Sequence, residues 1–191
     1  GQDFQTQSHI SGHPDKQAGA LTVLQNLISA AKGWAGGGLP VFCLAFVVYA
    51  LTVCPTVSLW DCGEFVCCAS GLDVGHPPGA PLYWLVSRMA VLLFPAGREA
   101  LACAMASAAC CAAAAAVLSL CARRLLSWAW PAAPRAVLRA AGFAAGMSWA
   151  VCGSVWAVAV ETEVYGAAVL LGLLVLWLAL RWRGGGSPRL L

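Results

Sequence analysis

Charge is what this sequence has least of. Only 10% of its 191 residues are Asp, Glu, Lys or Arg and 61% are hydrophobic, where soluble chains carry about 25% charged residues. With a mean hydropathy of +0.78, the composition excludes an ordinary soluble globule. No Asp, Glu, Lys or Arg interrupts Trp34–Trp60, Ala100–Ala122, Ala140–Val160 or Val164–Leu180. A bilayer crossing takes about 20 apolar residues, so the four runs identify a multi-pass membrane protein. Basic residues interleaved with aromatics are also missing from any soluble segment, which excludes a nucleic-acid partner. The ten cysteines lack CxxC or Cys/His spacing, which excludes a zinc site and leaves no metal expected. Cys43, Cys103, Cys110, Cys111 and Cys121 fall inside apolar runs as small buried hydrophobes, and a Cys62 bridge to Cys67 or Cys68 is the only pairing considered.

What charge there is divides the chain. Residues 1–38 read as a polar tail followed by a helix over 15–33, either lying on the cytosolic membrane surface or simply solvated. The Gly36-Gly37-Gly38 step breaks that helix from a first span over Leu39–Val57. Residues 39–183 form the transmembrane domain and 184–191 a basic, Gly-rich stub. The first charge-free run starts only at Trp34, unlike a secretory signal peptide, and both ends look cut, so the chain is expected to be the N-terminal portion of a larger protein.

Residues 77–95 are apolar enough to span, yet carry Arg88 at their centre, and a mid-bilayer Arg costs about 2.5–3.5 kcal/mol on insertion scales. Laid along the interface instead, they leave four crossings. Lys16, Lys32, Arg123, Arg124, Arg135, Arg139, Arg181, Arg183 and Arg189 then face the cytosol. Asp61, Glu64, Asp73, Glu99, Glu161 and Glu163 face the other side. That division obeys the positive-inside rule. The expected fold is all-α, with four transmembrane helices and lumenal juxtamembrane helices in the first loop.

Scarce polar groups then concentrate at one rim. In "WDCGE", a helix beginning near Asp61 puts Asp61 and Glu64 on one face at i, i+3. Partial desolvation at a membrane exit raises a carboxylate's pKa and suits it to general-base work. Equally, Asp61 or Asp73 can serve only as a helix N-cap. In "VGHPPGAPLYW", Pro77 and Pro78 extend the backbone before them and open a helix, which aims His76 at a substrate or makes it a cap. In "AVETEVYG", Glu161 and Glu163 at i, i+2 project to different helix faces, as two distinct groups or as solvated acids at a membrane exit.

Two blocks, "PTVSLWDCGEFVCCASGLDVGHPPGAPLYWLVSRMAVLLFP" over 55–95 and "SVWAVAVETEVYGAAVLLG" over 154–172, carry a resemblance. In order and separation they resemble the membrane family catalogued as domain of unknown function 2723, whose eukaryotic members include protein O-mannosyltransferases of the transmembrane protein 260 type. The resemblance implies a GT-C-like glycosyltransferase that needs no cofactor. Its co-substrate would be a polyprenyl-phosphate sugar such as dolichyl phosphate mannose, its other partners an acceptor protein and the lipid bilayer. By motif position it makes Asp61 the base with Glu64 beside it. It sets Trp60, His76, Pro77, Pro78, Gly79, Glu161, Glu163 and Tyr165 around substrate. Leu59-Trp60 departs from the Gly-Gly of the animal form, so sugar specificity does not carry over.

The implied reaction is one inverting displacement, in which a Ser or Thr hydroxyl attacks the anomeric carbon and the lipid phosphate leaves as an anion. That anion needs positive charge nearby, for which Arg88 is nominated, against an arginine that merely snorkels to headgroups. The expected home is the endoplasmic reticulum membrane in a eukaryote or the inner membrane in a bacterium. Two competing readings are a non-catalytic membrane subunit retaining part of the fold and a transporter fragment. Transporter acids sit at mid-membrane, whereas these sit at span ends.

Overall fold

A computed structural model describes residues 34–184. The expected helix over 15–33, Lys16, Lys32, Arg189 and nearly all of the stub lie outside the described residues. Every described element is helical. A π-helical turn, Trp34–Gly38, runs into α1 (Leu39–Thr52). There follow α2 (Cys62–Gly71), α3 (Pro81–Leu93), α4 (Glu99–Ala129), α5 (Arg135–Ala150), α6 (Gly153–Val160) and α7 (Tyr165–Arg183).

Three continuous segments, Trp34–Thr52, Glu99–Ala129 and Tyr165–Arg183, are long and apolar enough to cross a membrane, and α5 with α6 make a fourth if their 67° bend is one broken span. This is a multi-pass membrane architecture. The first span differs from expectation at both ends. It stops at Thr52, short of Val57, with Pro55 soon after, and the described chain is already helical from Trp34 through the glycines expected to break it. A Cβ on Gly37 would stand 1.7 Å from Arg123 Nη1, so the bare backbone admits that guanidinium and the turn continues into α1. The run 140–160 was expected to be one span and is two helices, parted where Cys152 adopts extended angles (φ −61°, ψ 132°).

α4 is the mast of the fold. Its 31 residues extend about 46 Å at 1.5 Å per residue, and it packs against every other described helix. Lipid offers no hydrophobic force to drive helices together, so contact depends on close approach by small residues. α4 supplies a buried face of Ala102, Ala108, Ala112, Ala115 and Ser119. α5 answers with Gly142 and Gly146, where an added Cβ would lie 2.7 Å from the backbone oxygens of Ser119 and Ala115 respectively. Gly142-Phe143-Ala144-Ala145-Gly146 is thus a GxxxG face laid on the alanine helix.

α3 has 13 residues, about 20 Å of helix, too short for a hydrocarbon core of about 30 Å. Tyr83, Trp84 and Ser87 face inward, while Leu82, Leu85, Met89 and Leu92 are exposed. An outward apolar stripe on a short helix is what seating in a bilayer surface requires. α3 opens at Pro81, not at Pro77 or Pro78 as expected. Those two instead form a turn about a cis Pro77–Pro78 bond, closed by Gly79 N–H to the His76 carbonyl at 2.9 Å. All ten cysteines are free, so Cys62 is not bridged to Cys67 or Cys68.

Gly146→Leu should lower the melting temperature in detergent, because overpacking a helix contact costs about 1–3 kcal/mol. Gly172→Leu, with nothing within 4 Å of its added Cβ, should leave it unchanged. Equal melting of the two variants would show that the α4–α5 contact does not depend on the small residue.

Candidate functional site

The end of the bundle where α1 and α6 stop is tied together by backbone. Cys54 N–H donates to the Val160 carbonyl at 2.8 Å, and Trp156 Nε1 to Thr52 Oγ1 at 3.2 Å. Between these tethers and the start of α7, residues 161–163 lie outside any helix. Glu161 is extended (φ −118°, ψ 171°). In extended backbone, residues i and i+2 point to the same side. Glu161 and Glu163 therefore converge instead of diverging as helical spacing predicted, with one ligating atom each of Cys62, Glu161 and Glu163 within 4.8 Å of one another.

Asp61 stands at the N-cap position of α2 but makes no capping hydrogen bond. Its carboxylate is not engaged as the cap that the sequence allowed. Asp73 lies beyond the C-terminus of α2, not at a helix start. Before Asp61, Trp60 holds a left-handed φ of 63° with its side chain exposed, a strained conformation for a bulky residue that turns the chain into α2.

Glu64, one turn into α2, receives the His76 turn. Its Oε1 accepts the His76 backbone N–H at 2.5 Å and its Oε2 lies 2.7 Å from His76 Nδ1. The hydrogen bond from His76 lowers the Glu64 pKa, and the same bond raises that of His76, with the Asp61 charge adding to the latter. Asp61, Glu64 and His76 bring one ligating atom each within 4.8 Å of one another. Glu163 feels the Asp61 charge as well. Burial pushes its pKa up first, then Glu161 and Asp61. The two acidic segments, a hundred residues apart in sequence, thus share one rim.

Both triads have residue types that could ligate a metal, and members of each are already hydrogen-bonded. Glu64 and His76 bond each other. Cys62 Sγ donates to the Thr162 carbonyl at 3.2 Å, and burial raises its pKa, which disfavours the thiolate that ligates.

Arg88 is half-buried and donates through Nη1 to the Ser70 carbonyl near the C-terminus of α2, pinning α3 to α2. Tyr165, exposed at the start of α7, lines an apolar groove of about 120 Å³ with Cys111, Trp149, Val155, Val158 and Val169.

Sequence reasoning missed the residue that holds the rim. Ser107, fully buried in α4, accepts the Glu163 N–H at 3.0 Å and faces the Glu163 carbonyl at 3.1 Å. Tyr83 Oη of α3 lies 2.7 Å away. One hydroxyl thus fixes the second acidic segment and the surface helix to the mast. Its signal was a hydroxyl in an apolar run, one of two with Ser119 between Ala100 and Ala122, the kind of polar group lipid tolerates only with partners.

The family model described as the protein O-mannosyl-transferase TMEM260 N-terminal domain matches residues 61–187. The chain belongs to that family. The match contains every candidate residue from Asp61 to Tyr165, and Trp60 falls one position before it. Protein O-mannosyl-transferase TMEM260 of Mus musculus is 36% identical over 69 residues, which cover 36% of this chain and 10% of the mouse protein. The aligned part thus spans about a tenth of that relative's length. No solved structure matches.

Removing the Ser107 hydroxyl leaves the Glu163 amide and Tyr83 phenol without their partner, at about 1–3 kcal/mol for buried groups. Ser107→Ala should therefore melt earlier than wild type, and Tyr83→Phe on top of it should add little. Full additivity of the two would break the proposed linkage.

The Glu64–His76 pair orders the 72–80 turn only while the acid is ionised and the imidazole protonated. The contribution from His76, whose pKa is raised, is present at low pH and is lost as pH rises through that raised value. The contribution from Glu64, whose pKa is lowered, is lost as pH falls through that lowered value. Hydrogen exchange of the turn, corrected for intrinsic rates, should be slowest between the two. Glu64→Gln should move the alkaline limb to lower pH, and an unmoved limb would show that the pair does not order the turn.

Proposed function

We propose that the protein is the N-terminal part of a membrane glycosyltransferase with a GT-C-like fold, moving a sugar, mannose by family resemblance, from a polyprenyl phosphate to a Ser or Thr of a protein. The observation that carries the reading is Asp61: a carboxylate free of any capping bond, at a rim shared with Glu163 and with the His76 turn. The mouse relative is named as a protein O-mannosyl-transferase, which supports this class of chemistry over a scaffold or a transporter fragment.

In this reading Asp61 takes the proton of the acceptor hydroxyl as its oxygen attacks the anomeric carbon. The bond from that carbon to the phosphate oxygen breaks, its electron pair stays on the phosphate, and configuration inverts. Glu163, Glu161 and Asp61 repel one another. Burial and the two neighbouring charges favour the protonated form of Glu163, and an anionic rim does not suit a departing phosphate anion. His76, whose protonated form the Glu64 hydrogen bond favours, supplies positive charge nearby when protonated. Arg88 joins only by leaving the Ser70 carbonyl. Pro77, Pro78 and Gly79 fix where His76 points, and Trp60 and Tyr165 border the sugar and lipid sides. The groove beside Tyr165 is apolar, as a polyprenyl chain requires.

The reading includes no resident metal. It places the rim on the lumenal side of the endoplasmic reticulum in a eukaryote, or outside the inner membrane in a bacterium.

The test is transfer from lipid-phosphate mannose to an acceptor peptide by the full-length protein, with and without chelator. Asp61→Asn should lower kcat by about 10²–10⁴-fold, the span of general-base catalysis, with little change in KM for the donor. Transfer at the wild-type rate by Asp61→Asn would remove Asp61 as the base. No transfer by the folded wild-type protein would return the reading to a non-catalytic subunit.

A further inference from the structure

The opposite end of the bundle carries a second site, independent of the transferase reading. Ser107 and Arg123 lie sixteen residues apart on α4, about 24 Å along the axis, close to the thickness of a hydrocarbon core. At that far end a cavity of about 380 Å³ opens between α4, α5 and α7, lined by Arg123, Arg124, Arg135 and Arg139 together with Ser127, Trp177, Leu120 and Leu138. No acid lines it. The acids among the described residues, Asp61, Glu64, Asp73, Glu99, Glu161 and Glu163, all belong to the other end.

The arginines are positioned, not merely near. The Arg124 guanidinium sits 5.3 Å from the Trp128 ring centre, with Arg183 at 5.4 Å from the same ring. Arg124 Nε is buried without a hydrogen-bond partner in the structure. Arg139 reaches back toward Gly36, its Nη2 3.7 Å from where a Cβ would stand. Arg123 reaches the adjacent Gly37, so the two guanidiniums approach the same turn. Planar guanidiniums bind phosphate oxygens in pairs. A volume in the range of small-molecule sites, about 300–1,000 Å³, is roomier than a bare phosphate needs. Trp177, Leu120 and Leu138 give one wall an apolar surface.

We propose that this cavity binds the phosphate monoester groups of a phosphorylated polyol, presented as a lipid headgroup in the cytosolic leaflet. The positive-inside rule assigns the arginine end to the cytosol, and basic pockets between helices on that side suit anionic headgroups. Arg135 and Arg139 reach it from the exposed start of α5, and Arg124 closes its floor.

The test reconstitutes the full-length protein in phosphatidylcholine nanodiscs. It compares binding of an inositol phospholipid with ring phosphates, the same lipid without them, and the free inositol phosphate. Ring-phosphate lipid should bind in preference to the unphosphorylated lipid, and more tightly than the free headgroup. The Arg135→Gln/Arg139→Gln double variant should lose about tenfold or more, the scale for charged hydrogen bonds. Leu138→Trp, which fills the cavity and keeps every charge, should lose binding too, so that a change in topology cannot mimic the result. Free headgroup binding as tightly as lipid, with the same variant losses, would make the ligand a soluble phosphate and overturn the lipid source. Equal binding of phosphorylated and unphosphorylated lipid, or variants that bind like wild type, would overturn the site.

Discussion

A backbone group that leaves a helix inside a membrane has no water to bond, and the described fold is arranged around the side chains that meet that need. Where α5 breaks into α6, the Ala150 carbonyl is freed, and Tyr49, buried on α1, donates its hydroxyl to it at 2.7 Å. Where the chain unwinds again after α6, Ser107 bonds the backbone of Glu163 on both its polar groups and Cys62 bonds the Thr162 carbonyl. The acidic loop keeps its shape because two buried side chains from other helices, Ser107 and Cys62, supply what a helix would have supplied. Its geometry, and so the convergence of Glu161 and Glu163, follows from those partners.

Such short bonds demand that the helices approach closely, which is why the alanine content of α4 and the two glycines of α5 belong to the same explanation as the site. A bulkier mast would hold α7 and α3 away, and Ser107 would reach neither Glu163 nor Tyr83. Packing and polar satisfaction are here one requirement: small residues set the distance, and hydroxyls use it.

Composition was enough to read the class of the fold, because runs without charge admit few alternatives to a bilayer. It also set residues 77–95 apart from the spans, since Arg88 at the middle of an apolar stretch argues against a crossing, and α3 has too few residues to make one. The convergence of the two acidic segments followed from charge placement. The finer details were not legible because they are set by neighbours far away in sequence. The 67° break between α5 and α6 depends on Tyr49, a hundred residues earlier. Pro81 opens α3 because Pro77 and Pro78 are taken up by a turn that Glu64 clamps from α2. Helical periodicity assigned Glu161 and Glu163 to opposite faces, and it failed there because a loop pinned by Ser107 is not a helix.

The chain also separates its charge along one axis. Burial and the charges of Glu161 and Asp61 raise Glu163 at the acidic rim, and His76 on the same rim is already bound to Glu64. The arginine cavity lies about a membrane thickness away and cannot neutralise that rim, since exposed charges farther apart than a Debye length of about 8–10 Å are screened from one another. Neither end can offset the charge of the other. The acidic end lowers its free energy by protonation of Glu163 or by meeting a cation. A segregation of this kind is the pattern that the positive-inside rule reads as an orientation in the bilayer.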